Sequence, residues 1–317
     1  MRIWYKEGIF NVRFDTSPAG RRAFLYYSAP GLFVVLWSTG FIGAKLGLPY
    51  AEPATFLAIR FALVSVILGA AVVVLRPAWP RGWRAFAQIM LVGILVHGVY
   101  LGGIFAGINL GVSAGDSALI VGMQPILTAV FIGPMLSEVV DRRQWSGFIL
   151  GTAGISLVSL RYLSNFDSSF EGVLLCVLAV IGMSIGTLYQ KRFCKDMNLL
   201  SGAFLQFGAA TLMMSVLALT FETTEISWTG EFVFALGWLV FVLSLGAMTL
   251  LWLLVREKAA TQVASLFFLV PPATALAAWP LFGETLNSSS IAGMILVVGG
   301  LLLVKPPKEN RQRDSSR

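Results

Sequence analysis

Apolar residues along this chain do not alternate with polar ones at the period of a strand or of a two-faced helix; they fill whole stretches, separated by short breaks rich in Pro, Gly and Ser. Ten such stretches run roughly over 30–48, 53–75, 86–108, 114–136, 144–161, 170–190, 198–220, 231–254, 260–282 and 289–304. A bilayer core about 30 Å thick needs about 20 mostly apolar residues at 1.5 Å rise each. The pattern therefore predicts an all-α integral membrane protein with ten transmembrane helices.

The pattern also repeats. A shift of 146 positions lays Pro125, Pro134, Glu138, Gly147 and Gly154 on Pro271, Pro280, Glu284, Gly293 and Gly300 without a gap, and Ser38, Gly40, Lys45 and Phe61 on Ser184, Gly186, Lys191 and Phe207. Five stretches fall in each copy, and an odd number makes the second copy cross the membrane in the opposite sense: two inverted five-helix repeats, the signature of many transporters. The expected organisation is a cytoplasmic segment over 1–29, a first repeat over 30–163, a second over 170–304 and a cytoplasmic tail over 305–317. The polar run Ser164–Ser169 is the boundary between the halves.

Charge sets the orientation. Lys and Arg fall in alternate loops, at Arg76, Arg81 and Arg84, at Arg142 and Arg143, at Lys191, Arg192 and Lys195, and at Arg256 and Lys258. The positive-inside rule places these loops, and both basic termini, in the cytoplasm. The intervening loops carry Glu52, Glu222, Glu225 and Glu231, with Arg161 against the trend. Composition agrees: 57% of residues are hydrophobic and 12% charged, whereas a soluble domain carries about 25% charged residues. The net charge of +7 is scattered over termini and loops, which argues against nucleic acid as a partner. Cys176 and Cys194 are too few for a disulfide framework and read as reduced packing residues. The basic first thirty residues hold no small-residue cleavage site after a short apolar core, so no cleaved signal peptide is expected.

The first-segment string Leu36-Trp37-Ser38-Thr39-Gly40-Phe41 followed by Lys45, the Ile59-Arg60-Phe61 stretch, and the paired Pro-x3-Glu endings at Pro134 to Glu138 and Pro280 to Glu284 resemble the EamA-type drug/metabolite transporters of bacteria. That resemblance implies a ten-helix exporter of small metabolites, often amino acids or their derivatives, in the inner membrane. One position departs from symmetry: Gln206 stands where a repeat mate of Arg60 would be.

Proline marks where a cavity is expected. Pro125 lies midway along the fourth stretch and Pro271-Pro272 midway along the ninth, where a missing backbone donor predicts kinks or breaks. Backbone groups freed at that depth need a protein-lined or watery cavity, and two duplicated breaks point to one at the interface of the repeats.

Ionisable residues in hydrocarbon default to functional roles, which singles out Lys45, Arg60, His97 and Asp116. Lys45 and its mate Lys191 lie near segment ends, where a long stem reaches the headgroups. Arg60 lies about seven residues, roughly 10 Å, inside the second helix; a structural clamp and a contact to an anionic solute are both open to it. His97, the only histidine, has a reference pKa near 6.5 and is the candidate for proton coupling, against a neutral imidazole in a helix contact. Asp116 suits either an N-terminal cap or the permeation path. Trp37, Ser38, Tyr100, Gln124, Ser184, Gln206 and Ser265 complete the expected substrate-binding set, with Tyr189 and Trp252 as either cavity or interfacial aromatics. Gly98, Gly102, Gly103, Gly107 and Gly111, then Gly147 and Gly151, read as faces for close helix approach.

The reading is a secondary transporter exporting a small amphipathic metabolite by alternating access, with lipid and solute as partners, no cofactor, and a monomer or homodimer as its form. No Walker-type glycine loop is present to use ATP. A membrane-embedded enzyme acting on a lipid or isoprenoid, and a lipid scramblase, are the alternatives. One histidine cannot supply paired zinc ligands, and Arg60 and His97 have no purpose in a simple scramblase.

Overall fold

The computed structural model describes residues 28–112, 114–163, 170–282 and 288–304. Helices account for nearly all of them. α1 spans Ala29–Gly47 and tightens into a 3-10 turn over Leu48–Tyr50; α2 spans Pro53–Leu75; α3 spans Trp83–Asn109. Then come α4 (Ala114–Gly122), α5 (Gln124–Leu136), α6 (Arg142–Leu163), α7 (Phe170–Phe193) and α8 (Leu199–Phe221). α9 spans Gly230–Glu257, and α10 (Ala260–Ser265), α11 (Val270–Phe282) and α12 (Ser288–Val304) complete the chain. With no water in a bilayer core, backbone groups must bond within their own segment, which is why apolar runs of this length become helices.

Among the described residues, six segments are long and apolar enough to cross a membrane: Ala29–Tyr50, α2, α3, α7, α8 and α9. Val66, Val73, Leu212, Val216 and Phe241 stand on their outer faces, more than half exposed, as a lipid-facing surface requires. The chain is a multi-pass membrane protein. The segments expected over 114–136 and 260–282 are interrupted. α4 stops at Gly122 and α5 starts at Gln124, while a 3-10 turn over Leu266–Leu269 separates α10 from α11. Pro125 therefore stands in the first turn of α5, and Pro271 and Pro272 in that of α11, instead of midway along continuous helices. A first-turn proline sacrifices no intrahelical bond, so the interruption falls just before it. The two termini expected in the cytoplasm, apart from Ser28 and Ala29, lie outside the described residues, as do Ser164–Ser169 and Glu284; so do the side chains of Asp116 and Pro280.

Residues 146 apart meet in the packing. α2 lies along α8, where Ser65 and Thr211 are 3.4 Å apart and the rings of Phe61 and Phe207 are 5.8 Å apart. α6 lies along α12 through glycines. A Cβ on Gly147 would stand 2.7 Å from the Gly300 carbonyl oxygen, and one on Gly154 2.6 Å from that of Gly293. Only glycine lets these backbones approach so closely, and close approach is what packs helices in lipid. α3 is seated the same way: Gly103 and Gly107 fit against α7, Gly98 and Gly102 against the methionines of α8. Gly111 differs from the rest of that stripe. It has open space beside it and φ of +93°, and it ends the helix instead of packing it.

Both α3 and α9 loosen to π geometry mid-length, over Ile94–Val99 and Leu239–Ala247. The two segments overlap under the 146-residue shift. Such bulges rotate the side chains beyond them and free carbonyls, and they recur at functional sites.

The ends of the bundle differ in charge. At the end where α2 begins, Glu222 accepts hydrogen bonds at 2.7 Å from the backbone N–H of Ala54 and of Thr55 and from the Thr55 hydroxyl. Glu52 in turn accepts from the backbone and hydroxyl of Thr223, both at 2.7 Å. Ala51 and Ile226 form an antiparallel bridge, Ser227 N–H donates to the Tyr50 carbonyl at 2.9 Å, and the Tyr50 hydroxyl bonds Glu231. The Thr223 hydroxyl and N–H hold the Glu52 carboxyl below its ordinary 4.5. At the opposite, basic end, Lys191 donates to the carbonyls of Val255, at 3.1 Å, and Lys258. That turns its ammonium onto the last carbonyls of α9, where a cation is favoured. Cys194 is buried beside it, and burial pushes its thiol up to about 11.

Candidate functional site

Where α1, α2 and α3 meet α9, the packing leaves a cavity with about 440 Å³ of empty space. Its wall is aromatic and aliphatic: Trp37 and Phe41 from α1, Tyr100 and Phe105 from α3, Leu243 and Met248 from α9. One cation breaks that wall. Arg60 of α2, 2% exposed, donates from Nε to the Ser244 hydroxyl at 3.0 Å, and its guanidinium carbon stands 5.7 Å from the centre of the Phe61 ring. Among the described residues no carboxylate lies within ion-pair distance of it, and none accepts from its other N–H groups. Ser244 belongs to the π segment of α9, so the bulge sets the rotation that brings this hydroxyl to Arg60. A wider recess of about 760 Å³ of empty space, lined by Lys45, Pro49, Asn109 and Val112, lies beyond the same ends of α1 and α3, on the side of the acidic loops.

Of the candidate residues named from sequence, Trp37, Arg60 and Tyr100 line this cavity together. Trp37 and Tyr100 stack at 6.1 Å, with Phe33 and Phe267 closing round Trp37 at 5.0 and 5.3 Å. Ser38 instead ties helices. Its hydroxyl donates to the Val34 carbonyl at 2.8 Å and reaches the Val270 carbonyl at the start of α11 at 3.3 Å, tying α1 to α11. Ser265 donates to Gln262 within α10. Gln124 lines a separate, smaller cavity with Thr187 and Lys191, and its Oε1 has no described partner; the buried Ser184 hydroxyl likewise has none.

His97 lies outside the cavity wall, fully buried in the π segment of α3. Its ring stacks on Phe207 at 4.2 Å and meets Phe61 at 5.9 Å and Trp252 at 6.2 Å edge-on. Its polar neighbour is the Gln206 side chain, close to the ring but outside good hydrogen-bond geometry, and Trp252 Nε1 has no described partner. The Gln206 amide nitrogen points to the Met197 sulfur at 3.9 Å. Buried polar atoms without partners are uncommon, and several of them gather around this ring.

Sequence reasoning passed over Ser244, Phe41, Phe105, Leu243 and Met248. Ser244 carried a faint signal as the one hydroxyl in the run Leu236–Ala247. The others look like any lipid-facing residue. Among the described residues no group of three His, Cys, Asp or Glu converges on a point, so none offers a metal site.

Three comparisons bear on this arrangement. The profile of the EamA-like transporter family matches residues 31–160 and again 170–305. A Bacillus subtilis protein named uncharacterized transporter YvbV is 29% identical over 86% of this chain and 88% of its own. A Salmonella typhimurium protein named as a probable amino-acid metabolite efflux pump is 23% identical over 86% of this chain and 92% of its own. A crystal structure with 17% identity superposes with a TM-score of 0.70 over 87% of this chain and 94% of that one, a likeness of fold alone.

Proposed function

The chain belongs to the EamA-like transporter family, and from that premise we propose that this membrane transporter exports a small amphipathic metabolite, an amino acid or a related solute, across the bacterial inner membrane. The observation that carries the reading is the cavity itself: an aromatic chamber between helices of both halves, holding one buried guanidinium. Pockets for small molecules combine such apolar walls with a few placed polar groups.

The two halves are inverted repeats of five crossings each, with the acidic end outside and the basic end and both termini in the cytoplasm. Contacts between mates such as Ser65 and Thr211 support a pseudo-twofold axis, and the loop charges support the orientation. The solute alternately meets each side as one half rocks against the other. Toward the acidic end the cavity adjoins the Lys45 recess; toward the basic end the rings around His97 fill the interior. His97 takes and returns the coupling proton in states that admit water to its ring.

Inside-out vesicles carrying the purified protein, given a mixed metabolite panel with and without a pH gradient, test the reading. Accumulation of a solute that follows the gradient and is lost in His97→Ala supports coupled export. Gradient-independent transport by both proteins confines His97 to packing. No movement of any solute under any condition overturns the export reading.

A further inference from the structure

We propose that the cavity takes its solute as a carboxylate, with the Arg60 guanidinium receiving the anionic end and the ring wall of Trp37, Phe41, Tyr100 and Phe105 surrounding an aromatic or branched apolar body. The inference rests on the transporter reading above and goes past it by fixing which end of the solute is recognised.

Arg60 is held but not neutralised. A guanidinium carries five N–H donors in a planar fork, and Ser244 takes only Nε. A hydroxyl orients the group without cancelling its charge. A Glu or Asp at position 244 would have satisfied the cation permanently, and a buried cation whose charge no partner cancels is costly to keep. The fork matches a carboxylate through two parallel hydrogen bonds, which gives affinity and direction together. With Nε fixed, an incoming anion meets a preset donor pair and need not order a flexible side chain.

The remaining lining excludes the opposite charge. The described wall of the cavity contains no Asp or Glu. Three of the carboxylates at the end where α2 begins are committed: Glu52 to Thr223, Glu222 to Thr55 and Ala54, and Glu231 to the Tyr50 hydroxyl. An ammonium entering the chamber would face Arg60 with nothing among the described residues to pair it, and would lose its hydration besides. A zwitterion gains one end and loses on the other. The rings favour a flat or branched body, since aromatic faces stack and aliphatic side chains fill the rest. A small hydrated anion such as chloride gains the guanidinium but nothing from that wall.

Three probes share one body and differ only in charge: 3-phenylpropionate, phenylalanine and 2-phenylethylamine. Titration calorimetry on the full chain in detergent should rank them acid, zwitterion, amine, with the acid at least about tenfold tighter than the zwitterion and no heat from the amine. Arg60→Gln should abolish acid binding. Arg60→Lys should weaken it about tenfold or more, because an ammonium keeps the charge and loses the fork. Ser244→Ala should weaken it several-fold through lost orientation without changing the ranking. Melting curves and gel filtration establish which variants are folded; if Arg60→Gln is not, the ranking in the natural protein together with Ser244→Ala and Arg60→Lys decides. An amine that binds as tightly as the acid, no binding by any of the three, or unaltered acid affinity in a folded Arg60 variant would overturn the inference. Counterflow in proteoliposomes separates this from the transport reading. Movement of amines but not acids leaves transport standing and removes the carboxylate. Acid binding with no movement of any solute does the reverse.

Discussion

The N-termini of α2 and α8 occupy equivalent places in the 146-residue offset, yet they are finished in opposite ways. Asn198 caps its own helix, accepting from Leu200 N–H at 3.0 Å and Ser201 N–H at 3.3 Å. Its mate Glu52 caps nothing of its own; it reaches across to Thr223, and Glu222 of the other half returns the favour to Ala54 and Thr55. At the Asn198 end a Ser201-to-Ala78 hydrogen bond of 2.8 Å ties α8 to the loop that follows α2. One turn or two further in, the pair diverges again. Arg60 is a cation on a cavity, and Gln206 is an amide pressed against Met197. In the repeat arrangement proposed above, the two ends are similar scaffolds, and differences at a few positions make one of them a latch with a charged site beneath it. The other end relies on local caps. In the orientation proposed above, the latched end faces outward.

Exchange of the charged position is the harshest test of that asymmetry. Arg60→Gln should reduce transport about a hundredfold, the scale of losing a buried charge-assisted contact. Adding Gln206→Arg should not restore it, because position 206 is not on the cavity. Recovery in the double variant, measured by counterflow, would mean that the halves are interchangeable.

The latch predicts a smaller, graded difference. Glu222→Ala strands two backbone N–H groups at a helix start and removes three bonds to a charged acceptor, so it should cost about 2 kcal/mol of stability. Asn198→Ala removes an ordinary cap and should cost about 1 kcal/mol. Thermal unfolding in detergent measures both, and equal losses would deny the latch its special standing.

Acidity should act on one end and spare the other. Because Thr223 holds the Glu52 carboxyl below 4.5, its contribution is complete above that value and is lost as pH falls through the lowered one. Hydrogen exchange on acidification should show Thr223 N–H losing protection while Leu200 and Ser201, capped by a neutral amide, keep theirs. Loss of protection at all three would point to general loosening.

The slightest effect concerns Cys194 at the basic end. With its thiol pushed up to about 11, the nucleophilic thiolate is scarce near neutrality, so maleimide should label it slowly at pH 7.5 and faster as pH rises. Faster labelling in the presence of transported solute would report that the basic end opens during the cycle.

Much of this molecule was legible in its sequence, because the relevant signals are local or periodic. Uninterrupted apolar runs demand helices in a bilayer, and glycines repeated along a helix mark close approach. Trp37, Arg60 and Tyr100, chosen for chemistry and depth, do share one cavity. Ser38 and Ser265, chosen on the same grounds, are spent on backbone carbonyls. Their sequence context did not distinguish the two outcomes. In a soluble helix the polar face reveals which side is buried; in lipid both the bundle-facing and the lipid-facing sides are apolar, so rotation about the helix axis leaves little trace in the pattern. The prolines likewise announced breaks but not that each break would fall a turn earlier, where the missing donor costs least.

What the sequence determined alone was the helical, apolar kind of its segments, the 146-residue offset between like residues and the separation of charge between loops. Each depends on composition and register along one chain. The tertiary structure decided that Ser244 meets Arg60 across 184 positions, that π geometry in α3 and α9 turns their side chains, that Glu52 and Glu222 exchange caps, and that His97 lies among rings instead of on the cavity. Those outcomes follow from helix rotation and from distances between segments remote in sequence, which packing of the whole bundle sets and no single segment contains.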